Sequence, residues 1–292
     1  FGDEEGVRFP TTLSGSRAVA GAFDPATLAC ADAEGVTLEA ALRGFGCDPA
    51  AIAALAYPPG AALAYVEAHI EQGPVLQARG AALGVVTAIN GATRFRVAVE
   101  GVAGHAGTVP MAIRSDALAG AAEMILAIEA RARREENLVA TVGRISAEPG
   151  AINVIAGAAS FTIDIRAPDD SQRRAAVADI QAACGVVAER RGLRLAMERA
   201  HDAPAVACDP RLVAMLGESL AREGHAPIRL PSGAGHDAMA MAGLCPSAML
   251  FVRCRDGISH NPAESITAGD AGAAFAALLD FVRRFDPSAL TR

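Results

Sequence analysis

A chain of 292 residues, 52% hydrophobic and 20% charged, is long enough to bury one large or two ordinary cores. With 4% aromatics and no tryptophan, those cores must be built from Ala, Val, Leu and Ile. A formal net charge of −7 excludes a general electrostatic grip on nucleic acid or anionic lipid, so neither is expected as a partner. No unbroken apolar run reaches about 18 residues, and no charged, apolar and small-residue leader is visible. The six cysteines (Cys30, Cys47, Cys184, Cys208, Cys245 and Cys254) contain no CxxC pair, which predicts reduced thiols in a cytoplasmic protein and no zinc on thiolates.

In chain order, residues 24–60 are rich in Ala, Gly and Pro, and predict short surface helices in PATLACADA and VTLEAALRGF between the breakers GCDP and YPPG. AYVEAHIEQGP then alternates, with Tyr65, Glu67, His69 and Glu71 on one face of a strand that Gly73-Pro74 ends. From about residue 92 the pattern becomes strand 94–101, helix 115–134, strand 138–146, strand 159–167, helix 171–192 and strand 193–200. That β-α-β-β-α-β order predicts two helices on a four-stranded antiparallel sheet, a ferredoxin-like α+β module. Helix 209–223, strand 248–252 and helix 270–285 follow, so an α/β parent domain (1–91 and 205–292) is expected to be interrupted by an inserted domain (92–204).

His201 and His225 stand in ordinary polar surroundings. His69, His105, His236 and His260 stand beside small or turn-forming residues, in HIEQGP, GHAG, SGAGHDA and SHNPAE. Each alone reads as a satisfied loop or core residue. Together with the adjacent acids Glu4 and Glu5 they make the imidazole and carboxylate set that zinc, manganese or cobalt accepts. An acidic pair in a kinked loop can aim one carboxylate at a metal and the other at its water, although for an arbitrary sequence a solvated acidic turn is the safer reading. GxSxG, GxxxxGK[ST], HExxH and GxGxxG followed by an acid are all absent, which leaves metal-assisted hydrolysis.

The segments FGDEEGVRFP, AHIEQGPVL, GVAGHAGTVPMAIRSDAL, GAINVI with FTIDIRAPD, and DGISHNPAE resemble, in order and over nearly the whole chain, the amidase, hydantoinase/carbamoylase branch of the M20 metallopeptidase-like family. The resemblance implies an α/β M20-type catalytic domain with the inserted module as lid and dimerisation domain, and hence a cytoplasmic homodimer. It implies a hydrolase acting on carbon–nitrogen bonds other than peptide bonds and using two divalent ions, zinc or manganese, with cobalt or nickel as further options. By resemblance Glu4 is the general base, Glu5 and His260 ligate one metal, and His69 ligates the other. The resemblance further implies that His105 polarises or stabilises the scissile ureido oxygen, that Asn153 and Arg166 hold the substrate carboxylate, and that Gln72 and His236 contact substrate. Arg166 shares a strand face with Asp164 and Thr162, as the alternation in FTIDIR requires.

The family pattern also needs a His from an HxD segment and a bridging Asp, both upstream of the acidic pair, and only three residues precede Glu4. The expectation is therefore an N-terminally incomplete catalytic domain, with doubtful metal occupancy. The expected activity is hydrolysis of the ureido C–N bond of N-carbamoyl-L-amino acids, with allantoate as the alternative substrate. A non-catalytic, dimeric ligand-binding homologue is the alternative of another class, and a dipeptidase or aminoacylase of the wider family is disfavoured by HIEQGP.

Overall fold

Proline and glycine breakers keep the first sixty residues in short pieces. Helix α1 (Ser14–Val19) and α2 (Leu38–Gly44, capped by the Thr37 hydroxyl) alternate with 3-10 turns Pro25–Ala29 and Pro49–Leu55, which the Asp24 and Asp48 carboxylates cap. PATLACADA thus forms a 3-10 turn where a helix was expected, because Cys30 already returns to extended backbone. There follow β1 (Tyr65–Ile70), α3 (Val75–Ala78), β2 (Leu83–Ile89), β3 (Gly91–Glu100), β4 (Gly104–His105), α4 (Ala117–Ala132), β5 (Val139–Thr141), β6 (Ile145–Glu148), β7 (Val154–Ile155) and β8 (Ala158–Ala167). The chain continues through α5 (Asp170–Arg190), β9 (Arg194–Ala203), β10 (Val206–Ala207), α6 (Pro210–Arg222), β11 (Arg229–Ser232), α7 (Asp237–Met241), β12 (Ser247–Val252) and α8 (Ala268–Arg284). The computed structural model describes residues 1–2 and 4–290, and the chain divides into two units, 1–89 with 206–292, and 90–205.

The discontinuous unit is built on a sheet of order β1-β12-β2-β10, with β11 also paired to β2. All six residues of β12 are buried, as a continuous apolar run at the centre of a sheet requires. It pairs parallel with β1 and antiparallel with β2, and the register sets His69 opposite Phe251. Leu212, Leu216 and Leu220 of α6 and Ala277 and Phe281 of α8 pack on this sheet. Strand β2, unremarked in the sequence, carries LGVVTAI with almost no exposure, so its two covered faces erase the alternation that would have marked it.

In the unit 90–205, β8 and β3 form the centre of an antiparallel sheet, with β9 beside β3 and both β5 and β6 beside β8. The expected single strand 138–146 is two short strands broken around Gly143, both paired to β8. Phe95, Val97, Phe161, Ile163 and Ile165 face Met124 and Ile128 of α4 and Ile180 and Val187 of α5 in one core. Where β3 enters and β9 leaves, the buried Arg173 guanidinium donates to Thr93, Asp170 and Asp202, and Asp170 also accepts from the Ala205 amide at 3.0 Å. Among the described residues, no helix is long and apolar enough to cross a membrane.

The Arg173 hydrogen bond holds the Asp202 carboxyl below its ordinary value, against the opposing effect of burial. A depressed folded-state pKa adds stability that is full above the unfolded value and lost as pH falls through the folded one. Acid titration of the unfolding free energy is therefore expected to fall less steeply below about pH 4 in Asp202→Asn than in the parent chain. Equal slopes would remove Asp202 from the acid response.

Candidate metal centre

The acidic pair sits on a turn that only glycine can make. Gly6 lies at φ 67°, and a Cβ there would stand 2.4 Å from the Thr11 carbonyl oxygen. The Leu13 amide donates to the Glu4 carbonyl at 3.1 Å and closes the loop. Glu4 is thereby half-buried while Glu5 is exposed.

From β1, Glu67 and His69 project to the same face, as the period of two dictates. His236, fully buried, precedes α7, and its ring lies 4.4 Å from that of His69 in an edge-on arrangement. One ligand atom from each of Glu4, His69 and His236 lies within 4.8 Å of the others, a grouping that could hold a metal ion. His236 was expected to contact substrate, and the structure places it in this cluster.

Hydrogen bonds decide which imidazole nitrogens carry lone pairs. His69 Nδ1 is 2.8 Å from the Ile70 carbonyl oxygen, which can only accept, so Nδ1 bears the proton and Nε2 the lone pair. His236 Nε2 is 2.6 Å from Ser232 Oγ, and that hydroxyl also accepts from the Ala234 amide and donates to the Ala234 carbonyl oxygen. With its one proton so used, Ser232 accepts from His236 Nε2–H, and His236 Nδ1 keeps its lone pair. That Nδ1 is buried without a hydrogen-bond partner, 3.8 Å from Glu4 Oε1 and 3.8 Å from Glu67 Oε1. Burial, helped by His69, depresses the His236 pKa to about 3, so the ring is neutral and these contacts are not ion pairs. Two imidazoles oriented by oxygen partners, with a carboxylate beside them, are a donor set that fits a divalent cation.

Burial also raises the Glu4 carboxyl to about 7, with His69 opposing and Asp237, Glu67 and Glu5 adding to the rise. Glu67 is raised as well, chiefly by burial, although the Tyr65 hydroxyl at 2.9 Å and the Ala238 amide at 3.0 Å both donate to it. Glu67, Tyr65 and Ser232 were not among the expected site residues. The shared face of β1 with His69 was the available signal for the first two.

Beside this cluster Glu5 Oε1 is 3.1 Å from His260 Nε2 and accepts from Gln72 Nε2 at 2.8 Å. Gln72 and His260 both lie at φ 54°, a left-handed conformation that non-glycine residues seldom adopt and that gathers at functional sites. Glu5, Gln72 and His260 are thus brought together, as are Glu4, His69 and His236.

In the unit 90–205, β4 pairs with β7 so that His105 stands opposite Val154, and the Ala106 amide donates to the Asn153 carbonyl at 2.9 Å. The Gly107 amide donates to His105 Nδ1 at 3.0 Å, so the exposed ring carries its proton on Nε2 and is a hydrogen-bond donor. Arg166, on β8 of the larger sheet, donates through Nε and Nη2 to both oxygens of Asp164, at 2.8 and 2.9 Å. Hydrogen bonds from Arg166 and Arg94 outweigh burial and keep Asp164 below the usual carboxylate range. His105 thus lies on a two-stranded sheet with Asn153 just before its second strand, and Arg166 belongs to a different sheet.

Comparison with known proteins follows the same outline. The chain is 42% identical to allantoate deiminase of Arabidopsis thaliana over 97% of its own length and 59% of that protein. It is 41% identical to N-carbamoyl-L-amino acid amidohydrolase of Geobacillus stearothermophilus over 92% of the chain and 66% of that protein. The chain thus spans about three fifths to two thirds of these curated relatives. A crystal structure of an amidase of the hydantoinase/carbamoylase family from Burkholderia multivorans superposes with a TM-score of 0.89 at 34% identity, covering 96% of this chain and 67% of that one. The profile of Peptidase family M20/M25/M40 matches residues 1–284, and with it the mixed α/β fold and the paired histidine and carboxylate donors identify the chain as a member of that family.

Proposed function

We propose that the protein is a binuclear metal-dependent amidohydrolase that cleaves the ureido C–N bond of an N-carbamoyl-L-amino acid. The observation that carries this reading is the convergence of Glu4, His69 and His236, with Glu5 and His260 paired beside them. Relatives named for N-carbamoyl-L-amino acids support the substrate class. Allantoate is the second reading, favoured by the relatives named for it and by a substrate that also sets a ureido group beside a carboxylate.

Glu5 and His260 would hold one ion and His69 the other, with the His236 lone pair available on the same side as His69. Zinc or manganese suits these donors, and cobalt and nickel are compatible. Bound ions supply Lewis acidity that polarises the carbamoyl oxygen and acidifies water. Glu4, with its carboxyl near 7, takes a proton from the attacking water and returns it to the leaving amino nitrogen. The water oxygen bonds to the carbamoyl carbon, the C–N bond breaks, and carbamate departs, later decomposing to carbon dioxide and ammonia. His105 donates Nε2–H to the developing oxyanion, while Arg166 and Asn153 receive the substrate carboxylate and Gln72 orients the ureido group. The module 90–205 serves as the lid and joins two copies in a cytoplasmic homodimer.

A panel of N-carbamoyl-L-amino acids and allantoate, assayed with manganese or zinc, tests the reading. Turnover of the first group supports it, and turnover of allantoate alone selects the second reading. Inactivity of the metal-loaded protein on every member overturns the enzyme assignment in favour of a non-catalytic binding dimer, which would show substrate-dependent thermal stabilisation without metal dependence. Glu4→Gln is expected to lower kcat by about 10²–10⁴-fold while equilibrium dialysis finds the metal content unchanged. Loss of metal in that variant would make Glu4 a ligand instead of a base. Arg166→Lys is expected to raise KM roughly tenfold to a hundredfold with kcat largely kept, since lysine cannot reproduce the planar fork. An unchanged KM would place the substrate carboxylate elsewhere.

A further inference from the structure

Gln77 lies outside every role described so far, yet it joins the two loops that meet at Glu5. At the end of β1 the buried Glu71 carboxylate accepts from the Val75 and Leu76 amides at 2.7 and 2.9 Å, capping α3, while Leu76 is wholly buried in the core. Helix α3 is therefore a fixed post. From it Gln77 reaches across 179 residues of sequence in a reciprocal pair, its Nε2 donating to Asp256 Oδ1 at 2.9 Å and its Oε1 accepting from the Asp256 amide at 2.8 Å.

Asp256 needs that support, because its φ of 56° is left-handed for a residue with a side chain. The turn it belongs to lies directly on the β1–α3 connection. A Cβ on Gly257 would sit 2.9 Å from the Gly73 carbonyl carbon and the Pro74 nitrogen, and Cys254 Sγ lies 3.4 Å from the Gly73 carbonyl oxygen. Four residues beyond Asp256, His260 reaches Glu5 Oε1, the same atom that Gln72 meets from the other loop. One post thus sets both loops.

We propose that Gln77 is a positioning residue for the candidate metal pair Glu5 and His260, acting through Asp256 to hold the 254–260 loop against the 71–78 turn. The inference rests on the reading of Glu5 and His260 as metal-holding groups. It gives a function to an exposed amide whose loss should leave the cores intact, since the partners of Gln77 are surface groups.

Two readouts test it on the 292-residue chain. Hydrogen exchange without metal reads the staple, and zinc affinity by competition with a chromophoric chelator reads its consequence. Gln77→Ala is expected to speed exchange at the Asp256 amide and to weaken zinc binding about tenfold or more, at an unchanged melting temperature. Gln77→Glu alone should act alike by setting two carboxylates together, whereas Gln77→Glu combined with Asp256→Asn keeps the bond from the backbone amide of residue 256, restores the side-chain bond with its direction reversed, and should recover the affinity. Unchanged exchange in Gln77→Ala overturns the staple, and faster exchange with parental zinc affinity overturns its role at the metal pair. A double variant that stays as weak as Gln77→Glu overturns the pairing argument. If the parent chain itself takes up no zinc while its Asp256 amide is protected, the reading of Glu5 and His260 falls, and with it the role assigned to Gln77.

Discussion

The constraint on which the rest of this structure depends is electrostatic. Glu4 and Glu67 place carboxylate oxygens 3.8 Å from a buried imidazole nitrogen that has a lone pair and no donor to offer them. Carboxylates withdrawn from water beside a lone pair are unfavourable unless a proton or a cation joins them. Burial raises the Glu4 pKa and depresses that of His236, so both groups lean toward their neutral forms. A folded chain that maintains this arrangement has spent stability on a place for positive charge.

The backbone is arranged so that this place cannot relax. His69 is fixed by the parallel register of β1 on β12, by its own Nδ1–H to the Ile70 carbonyl, and by the edge of the His236 ring. His236 is fixed from behind by Ser232, which uses every hydrogen-bonding capacity it has in doing so. On the Glu5 side the positive φ angles of Gln72, Asp256 and His260 mark a loop pair held by tertiary contacts against local preference. Rigid strand ends therefore carry one set of donors and strained, stapled loops the other.

The unit 90–205 answers to different forces. Its sheet alternates buried and exposed positions along β3 and β8, and the apolar half is closed by α4 and α5. The polar half is free to carry Arg94, Asp164 and Arg166, where each guanidinium finds a carboxylate. His105 owes its donor character to a local backbone amide, so its chemistry is set within three residues of chain.

Strict periodicity made the long elements of that unit legible from the residues: the alternation along β3 and β8 follows from one-sided burial, which prints itself in sequence, whereas the two-residue strands β4 and β7 carry no such pattern. The adjacency of Glu4 and Glu5 and the shared face of Glu67 and His69 were equally local facts. Strand β2 was hidden because burial on both faces leaves no period, and the break at Gly143 because a short interruption does not disturb the pattern of the nine-residue run 138–146. No local rule could bring His236 against His69, or seat His260 and Gln72 on one oxygen of Glu5, since those contacts span tens to hundreds of residues. The sequence by itself determined which side chains could do metal and acid–base chemistry. Only the tertiary structure decided which of them meet, and which imidazole nitrogen is left bare, because register, packing and second partners act across the fold and not along the chain.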